Sequence, residues 1–528
     1  MLNTLSRPGR WTPRAKVKGY LRILLVYPSY PDTFWSFRHA LRFISKKACF
    51  PPLGLLTVAA MLPGDWEKKV VDMNVTTLRD EDIRWADYVF VSAMVVQNTS
   101  AQEVVARCNR VGTKVVAGGP LFTMAEERMT GVSHFVLGEA EVTLPPFLKD
   151  LAAGCAKPVY ECGERPELHE TPLPLWSLID IRHYATMNIQ YSRGCPFDCE
   201  FCDIAFLNGH VPRTKTREQL NRELDALYAL GGHGSVFIVD DNFIGNKKKL
   251  KTEILPSITA WSAERGFPFS FYTEASINLA DDVELMDLMT AAGFNRVFIG
   301  IETPNEESLD ECNKSQNRGR DLADSVRKIQ NHGFEVQGGF IVGFDNDPLS
   351  IFRSQINFIE KTGIVTAMVG LLNAPRGTRL YQRLKKENRL VSDMTGDNTD
   401  CSLNFVPKMN RDLLIDGYKH ILSTIYAPKQ YYPRITTFLK QYRPPKLRFA
   451  RAFKFYHIAA FFRTIWVLGI IDKGRTHFWR LFIHTTFRRP RLLPISFNLA
   501  VFGLHFRKVA EKVVGTSLKS RPSTDIAA

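Results

Sequence analysis

The residues best suited to chemistry lie in one stretch, Tyr191-Ser-Arg-Gly-Cys195-Pro-Phe-Asp-Cys199-Glu-Phe-Cys202. Its three cysteines follow a C-x3-C-x2-C spacing. Cysteine thiolates are the ligands that iron–sulfur clusters take, so these three can hold three irons of a [4Fe–4S] cube. The fourth iron then has no protein ligand and can bind a small molecule. A zinc ion is the competing reading. Zinc asks for a fourth ligand and usually a second Cys/His pair, and His210 is the nearest candidate. Gly194 before the first cysteine and Pro196 after it keep the loop tight. The alternating run Met187–Ser192 reads as a strand, which puts the loop at a strand's C-terminal end.

The spacing, with aromatic Phe201 directly before the last cysteine, resembles the signature of the radical S-adenosylmethionine superfamily. Over residues 20–520 the chain is similar to the cobalamin-binding members with a distinctive C-terminal domain, the group that includes the hopanoid methylases. The resemblance implies three cofactors: a [4Fe–4S] cluster on Cys195, Cys199 and Cys202, S-adenosylmethionine, and cobalamin. It also implies an electron donor and methylation of an unactivated carbon of a lipid-like, isoprenoid or hopanoid-type substrate. Two other readings stay open. One keeps the cofactors but performs cyclisation, carbon–carbon coupling or oxidation. The other is an RNA- or protein-modifying enzyme, or an RNA-binding protein.

Strand–helix alternation supplies the scaffold. Strand candidates at Arg22–Pro28, Lys69–Asp72, Tyr88–Ala93, Lys114–Ala117 and His134–Leu137 alternate with helical segments and predict a doubly wound, Rossmann-like parallel sheet over 20–155. Residues 156–185, with Pro158, Pro166, Pro172 and Pro174, read as a linker. Six more strands over 186–385, Met187–Ser192, Ser235–Asp240, Phe269–Thr273, Arg296–Glu302, Glu335–Val342 and Thr366–Leu371, predict a partial (βα)6 barrel. Residues 390–528 read as a mainly helical, basic and aromatic domain, and 1–19 as a disordered leader.

Ligands of parallel sheets bind at the strands' C-terminal ends. In the barrel those ends carry Asp240, Asp241, Glu274, Glu302, Gly343 and Asp345. An acidic residue after a strand also serves as a helix N-cap, so Asp240 and Asp241 have two readings. From the resemblance, Glu274 falls where family members hold the ribose of S-adenosylmethionine, and Gly300 and Gly339 lie in segments that flank adenine. Phe201, Asp241 and Glu302 complete the expected S-adenosylmethionine set. In the first sheet, the loops carrying Ser29, Pro52, Gly54, Ser92, Gly118, Gly119 and Glu139 look like those that hold cobalamin. No G-x-G-x-x-G follows the first strand, so a dinucleotide is poorly supported. No D-x-H-x-x-G follows it either, so no histidine of that motif would ligate cobalt.

Hydrophobic content of 45% and charged content of 23% are those of a globular chain. At 528 residues, about three domains are expected. Nine cysteines, six of them scattered, do not make a disulfide framework and fit a reducing compartment. Charge is concentrated at one end. Of 69 basic and 54 acidic residues, 18 and 3 lie from Lys440 onward, leaving 51 of each before it. The net +15 therefore belongs to the tail. The tail also holds fifteen aromatics between Tyr442 and Phe506, including a stripe of Phe449, Phe453 and Tyr456 bordered by Arg448, Arg451 and Lys454. Two apolar runs, Thr464–Ile471 and Leu492–Phe506, are too short to span a bilayer. This composition predicts peripheral attachment to the cytoplasmic face of a membrane, against packing of the aromatics onto the barrel; nucleic acid is a poorer fit.

Overall fold

The computed structural model describes residues 20–232, 234–444 and 455–516. The leader 1–19 and the tail stripe of Phe449, Phe453 and the Tyr456 side chain lie outside what it describes. The first sheet has six strands, β1 (Arg22–Tyr27), β2 (Glu67–Asp72), β3 (Tyr88–Ser92), β4 (Lys114–Gly118), β5 (His134–Leu137) and β6 (Val159–Glu161). Their order is β2-β1-β3-β4-β5-β6, and every pair is parallel. Ile23, Leu24, Leu25 and Val26 are wholly buried, because helices cover both faces of a parallel sheet and its inner strands become continuous apolar runs. β6 corrects the linker reading of 156–185. This three-residue edge strand buries only Tyr160, so it carries no apolar run to announce it, and the neighbouring prolines mask it.

The second sheet is a partial barrel of parallel strands. β7 (Met187–Ile189) leads into a short antiparallel pair, β8 (Ser192–Arg193) with β9 (Arg213–Thr214). Then follow β10 (Gly234–Ile238), β11 (Phe269–Glu274), β12 (Phe294–Glu302), β13 (Glu335–Val342) and β14 (Ala367–Leu371), in the order β14-β13-β12-β11-β10-β7. The expected single strand Met187–Ser192 is thus two. After Ile189 the chain leaves the barrel sheet, and Ser192 and Arg193 pair with Thr214 and Arg213 to frame the cysteine loop.

The two sheets are joined from inside. The chain leaving β1 sends Trp35 against Phe298 of β12, edge to face at 5.4 Å, with its indole N–H on the sulfur of Met368. Phe50 packs on Phe237 of β10, which stacks on Tyr272 of β11. Arg296 lies over the Tyr272 ring and pairs with Glu335. These rings fill the barrel below its rim.

The C-terminal part is helical, with helices Arg411–Ile425, Pro428–Gln441, Arg475–Arg488 and Leu493–Thr516. Here the expectation of a surface tail divides. Leu499, Ala500, Leu504, His505 and Phe506 are buried, and Phe506 stacks on Phe34 at 4.2 Å. Leu492–Phe506 is therefore core and not an interfacial segment. The run Thr464–Ile471 keeps Trp466, Ile470 and Ile471 exposed. Among the described residues, no helix is long and apolar enough to cross a membrane.

Candidate functional site

Cys195, Cys199 and Cys202 are half-buried free thiols on the loop between β8 and β9. The loop's shape is fixed from below. Gly194 has a φ of +98°, and a Cβ there would lie 2.8 Å from the Val211 carbonyl oxygen, so only glycine fits. Asp240, wholly buried after β10, accepts from the backbone N–H groups of Tyr191 and Ser192, both at 2.8 Å, and from the Ser192 hydroxyl at 2.6 Å. Burial pushes its carboxyl up to about 7 against those bonds. Asp241 accepts from Gly194 N–H at 3.2 Å and Asn208 Nδ2 at 2.9 Å. Neither aspartate caps a helix. Both pin the cysteine loop, so Asp241, expected on S-adenosylmethionine, is already committed to the loop.

Burial pushes the Cys195 and Cys202 thiols up, and donors and one cation offset it. Asn242 Nδ2 points at Cys195 Sγ from 3.8 Å, and Gln316 Nε2 at Cys199 Sγ from 3.7 Å. The ammonium of Lys314 acts on Cys199 and Cys202 and lies 5.8 Å from the Phe201 ring centroid. Donors and a cation of this kind tune a cluster held by thiolates. A single ion suits the site less. Among the described residues, the one group of three His, Cys, Asp or Glu ligand atoms within 4.8 Å of one another is Asp32, His39 and His505. The three thiols are spread more widely than that, and zinc–sulfur bonds of about 2.3 Å would draw them within it. His210 is exposed and adds no fourth ligand.

Glu274 ends β11, facing the same space. Among the described residues no donor bonds its carboxylate. Burial first, then the neighbouring Asp241 and Asp240, push its carboxyl up to about 8. An acceptor without a protein partner, beside the aspartates that hold the cysteine loop, is what paired ribose hydroxyls would satisfy. Glu302 closes β12 with a φ of +62°, at a register shift opposite Phe340. Its Oε1 accepts from Lys314 Nζ at 2.6 Å. Gly300 leaves the room: a Cβ there would run into Glu302 and Lys314. Gly339 serves the barrel interior, because the ring of Phe298 occupies the place of its missing side chain. It does not bare the backbone for an adenine.

In the first sheet, Ser29, Ser92, Gly118 and Gly119 come together at the C-terminal ends of β1, β3 and β4. The Ser29 hydroxyl pairs with Ser100 at 3.0 Å. Gly119 has a φ of +91°, and a Cβ there would meet Ser92 Oγ at 2.9 Å and the Ala93 carbonyl oxygen at 3.2 Å. Pro52 caps the helix Leu53–Met61. Gly54, in its first turn, has nothing within 4 Å of where a side chain would begin. The open backbone at Gly54 would fit a broad, flat ligand such as a corrin. At Gly118 and Gly119 the Val136 carbonyl, Ser92 and Ala93 take the place of a side chain, so that pair serves the close approach of neighbouring strand ends. Glu139 does something else. It accepts from Arg193 Nη1 at 2.7 Å and Arg213 Nη2 at 2.6 Å, while Arg193 Nη2 reaches Glu141 at 2.9 Å. Its carboxylate ties the first sheet to the strands that frame the cysteines.

Lys314, Gln316, Asn242, Arg193 and Arg213 were not singled out by the sequence. Asn242 alone carried a signal, as the third member of Asp240-Asp241-Asn242 after a strand.

Comparison with known proteins agrees with this arrangement. Residues 42–148 match the B12 binding domain, residues 189–358 the Radical SAM superfamily and residues 378–517 a domain of unknown function, DUF4070. An uncharacterized methyltransferase of Synechocystis sp. is 39% identical over 508 residues, covering 94% of each chain. The hopanoid C-2 methylase of Rhodopseudomonas palustris is 35% identical over 413 residues, covering 77% of each. In fold, the chain is similar to the cobalamin-dependent S-adenosylmethionine radical enzyme OxsB, with a TM-score of 0.60 and 16% identity over 97% of this chain and 82% of that one. The radical S-adenosylmethionine methyltransferase TsrM from Kitasatospora setae gives 0.52 at 15% identity over 71% and 79%.

A thiol loop on a partial barrel, with a B12-binding sheet before it, defines a radical S-adenosylmethionine enzyme. Its cofactors are a [4Fe–4S] cluster, S-adenosylmethionine and cobalamin. The chain belongs to the cobalamin-binding radical S-adenosylmethionine enzymes, the family that includes the hopanoid methylases.

Proposed function

We infer that this enzyme methylates an unactivated carbon of a lipid-like, isoprenoid or hopanoid-type substrate while attached to a membrane surface. One observation carries the lipid reading. Phe462, Trp466, Ile470, Ile471, Ile483 and Phe487 are each more than half exposed, Phe487 at 82%. They lie on the helical segment 455–471 and on Arg475–Arg488. Lys473, Arg475, Arg480, Arg488, Arg489 and Arg491 are exposed around them. Aromatic and aliphatic side chains within a cationic border are the composition of a face lying in a membrane interface. The likeness to a hopanoid C-2 methylase supports the same substrate class.

In this reading Cys195, Cys199 and Cys202 hold the cluster. Glu274 takes the ribose of S-adenosylmethionine beside Phe201 and Gly300. The loops of Ser29, Pro52–Gly54, Ser92 and Gly118–Gly119 take cobalamin. Bound there, the three cofactors supply a carbon radical and a methyl donor. The chain's own part is positional. Asp240 and Asp241 hold the cysteine loop, Glu139 with Arg193 and Arg213 fixes one sheet against the other, and Trp35 and Phe50 fill the barrel below the rim and keep water from it.

Lipid mass spectrometry of a strain lacking the gene tests the reading. Species one methyl heavier should disappear, and methionine labelled in its methyl group should label those species in the parent. Unchanged lipids with an altered tetrapyrrole or RNA would refute it.

A further inference from the structure

A second cluster of potential ligands lies away from the cysteine loop, where the chain leaving β1 meets the C-terminal helix Leu493–Thr516. Asp32, His39 and His505 each offer a ligand atom there, all within 4.8 Å of one another. His39 Nε2 is 2.9 Å from Asp32 Oδ2, and the two imidazole rings are 5.6 Å apart. His505 is wholly buried, and its Nε2 lies 2.9 Å from the Phe34 carbonyl oxygen.

The tautomers follow from these contacts. A carbonyl only accepts, so Nε2 of His505 carries the proton and Nδ1 keeps the lone pair. That Nδ1, like the Nδ1 of His39, is buried with no hydrogen-bond partner among the described residues. A neutral imidazole with a free ring nitrogen is the form that binds metals. His505, which donates one N–H to a backbone carbonyl and offers its other nitrogen, has the usual outer arrangement of a metal-bound histidine. His39 Nε2 and Asp32 Oδ2 face each other and are the atoms those two residues would offer the ion.

We propose that Asp32, His39 and His505 form a zinc-class metal site that clips the loop leaving β1 to the C-terminal helix. Two imidazoles and one carboxylate favour zinc-class ions over magnesium or calcium, which want oxygen. Lys508 and Arg42 also face His39. They oppose a cation, and that weighs further against hard ions held by charge alone. Three protein ligands leave a fourth position for water. The clip joins residues 466 or more apart in sequence and sits beside the stacked rings of Phe34 and Phe506. It would thereby fix the segment that carries Trp35 into the barrel. The proposal does not depend on the substrate.

The test is zinc content of the full-length protein, measured by elemental mass spectrometry after micromolar zinc and desalting. It uses the background with Cys195, Cys199 and Cys202 all replaced by alanine, so that zinc cannot sit on the cluster cysteines. One zinc per chain is expected. His39→Gln should lose it while cobalamin binding persists, which reports that the variant is folded. Asp32→Asn replaces a charged ligand with a neutral one and should bind zinc at least about 10-fold more weakly, the loss usual even for an outer partner; it serves as the second probe if His39→Gln fails to fold. A parent protein that takes up no zinc overturns the proposal. So does zinc retained undiminished in His39→Gln and Asp32→Asn.

Discussion

The ammonium of Lys314 lies 2.6 Å from Oε1 of Glu302, at the barrel rim that faces Cys199 and Cys202. The pair is nearly enclosed, and Glu302 reaches it from a left-handed backbone conformation that a side chain adopts only under constraint. Burial opposes the lysine's charge, but Glu302 and the two cysteines together raise its pKa above the usual lysine value.

Lys314→Met should therefore keep the iron and change its redox behaviour. A unit charge some 5–10 Å away, at an effective dielectric of ~20, contributes about 2–3 kcal/mol. Losing a cation disfavours the more negative, reduced cluster. Its midpoint potential should fall by roughly 50–100 mV, discounted for the compensating charge of Glu302. Redox titration followed by electron paramagnetic resonance measures this, and an unchanged potential would assign Lys314 to packing alone.

Glu274 gives a pH prediction. Its carboxyl is raised to about 8 in the folded chain, above the ordinary 4.5, so the folded state holds a proton that the unfolded state has released. Stability from this group is full below about pH 4.5 and is lost as pH rises to about 8. Glu274→Gln stays neutral, so it should match the wild type near pH 5 and exceed it by about 2–4 kcal/mol at pH 8.5. Wild-type affinity for S-adenosylmethionine should rise from pH 7 to 9, as the ionised carboxylate becomes available to the ribose, and stay flat and weaker in the variant. Calorimetry with S-adenosylmethionine decides it; equal affinities in both proteins would move Glu274 to the substrate side.

The cysteine loop depends on its supports. Gly194→Ala would place a methyl against the Val211 and Gly209 carbonyls at a φ of +98°, at a cost of about 1–3 kcal/mol. Asp240→Asn loses an acceptor that serves three donors, worth about 1–3 kcal/mol. Both should lower iron occupancy after anaerobic reconstitution, though less than alanine at Cys195, Cys199 and Cys202, which should abolish it. Iron analysis beside thermal unfolding separates the two effects. Full iron in the triple variant would remove the cluster from this loop.

Local order was readable where the signal was local. The barrel strands β10 to β14 are short, largely apolar runs separated by helical segments, and the three cysteines lie within eight residues, so both could be read from the chain. Long-range partners could not. Glu139 looked like a cobalamin loop residue because Arg193 and Arg213, more than fifty positions later, leave no trace near it. Lys314 follows a short helix with no periodic mark and reaches the cysteines only after twelve residues return to Glu302. Gly339 signals a missing side chain, but not whether a cofactor or Phe298 takes the space. Leu492–Phe506 shows the same limit: an aromatic, apolar run reads alike whether a membrane or Phe34, on the segment leaving β1, covers it.

The last case decides how membrane attachment should be tested. Cutting the chain before Lys440 would strip Leu499, Leu504 and Phe506 from the core, and the protein would lose stability whatever the tail's role. Point changes at the exposed face avoid this. Phe462→Ser, Trp466→Ser and Phe487→Ser together alter side chains that are 65%, 58% and 82% exposed, so the unfolding midpoint should hardly move. Each Lys or Arg near an anionic leaflet contributes about 1 kcal/mol, and the effect decays within a Debye length. The six exposed cations thus offer at most about 6 kcal/mol. Binding of the wild type to vesicles containing phosphatidylserine should fall as salt rises without vanishing, since the aromatics contribute a part that salt does not screen. The triple serine variant should lose that salt-resistant part and be released at high salt. Vesicle sedimentation across a salt series reads both. Equal sedimentation of variant and wild type at every salt concentration would leave the exposed face with no part in membrane attachment.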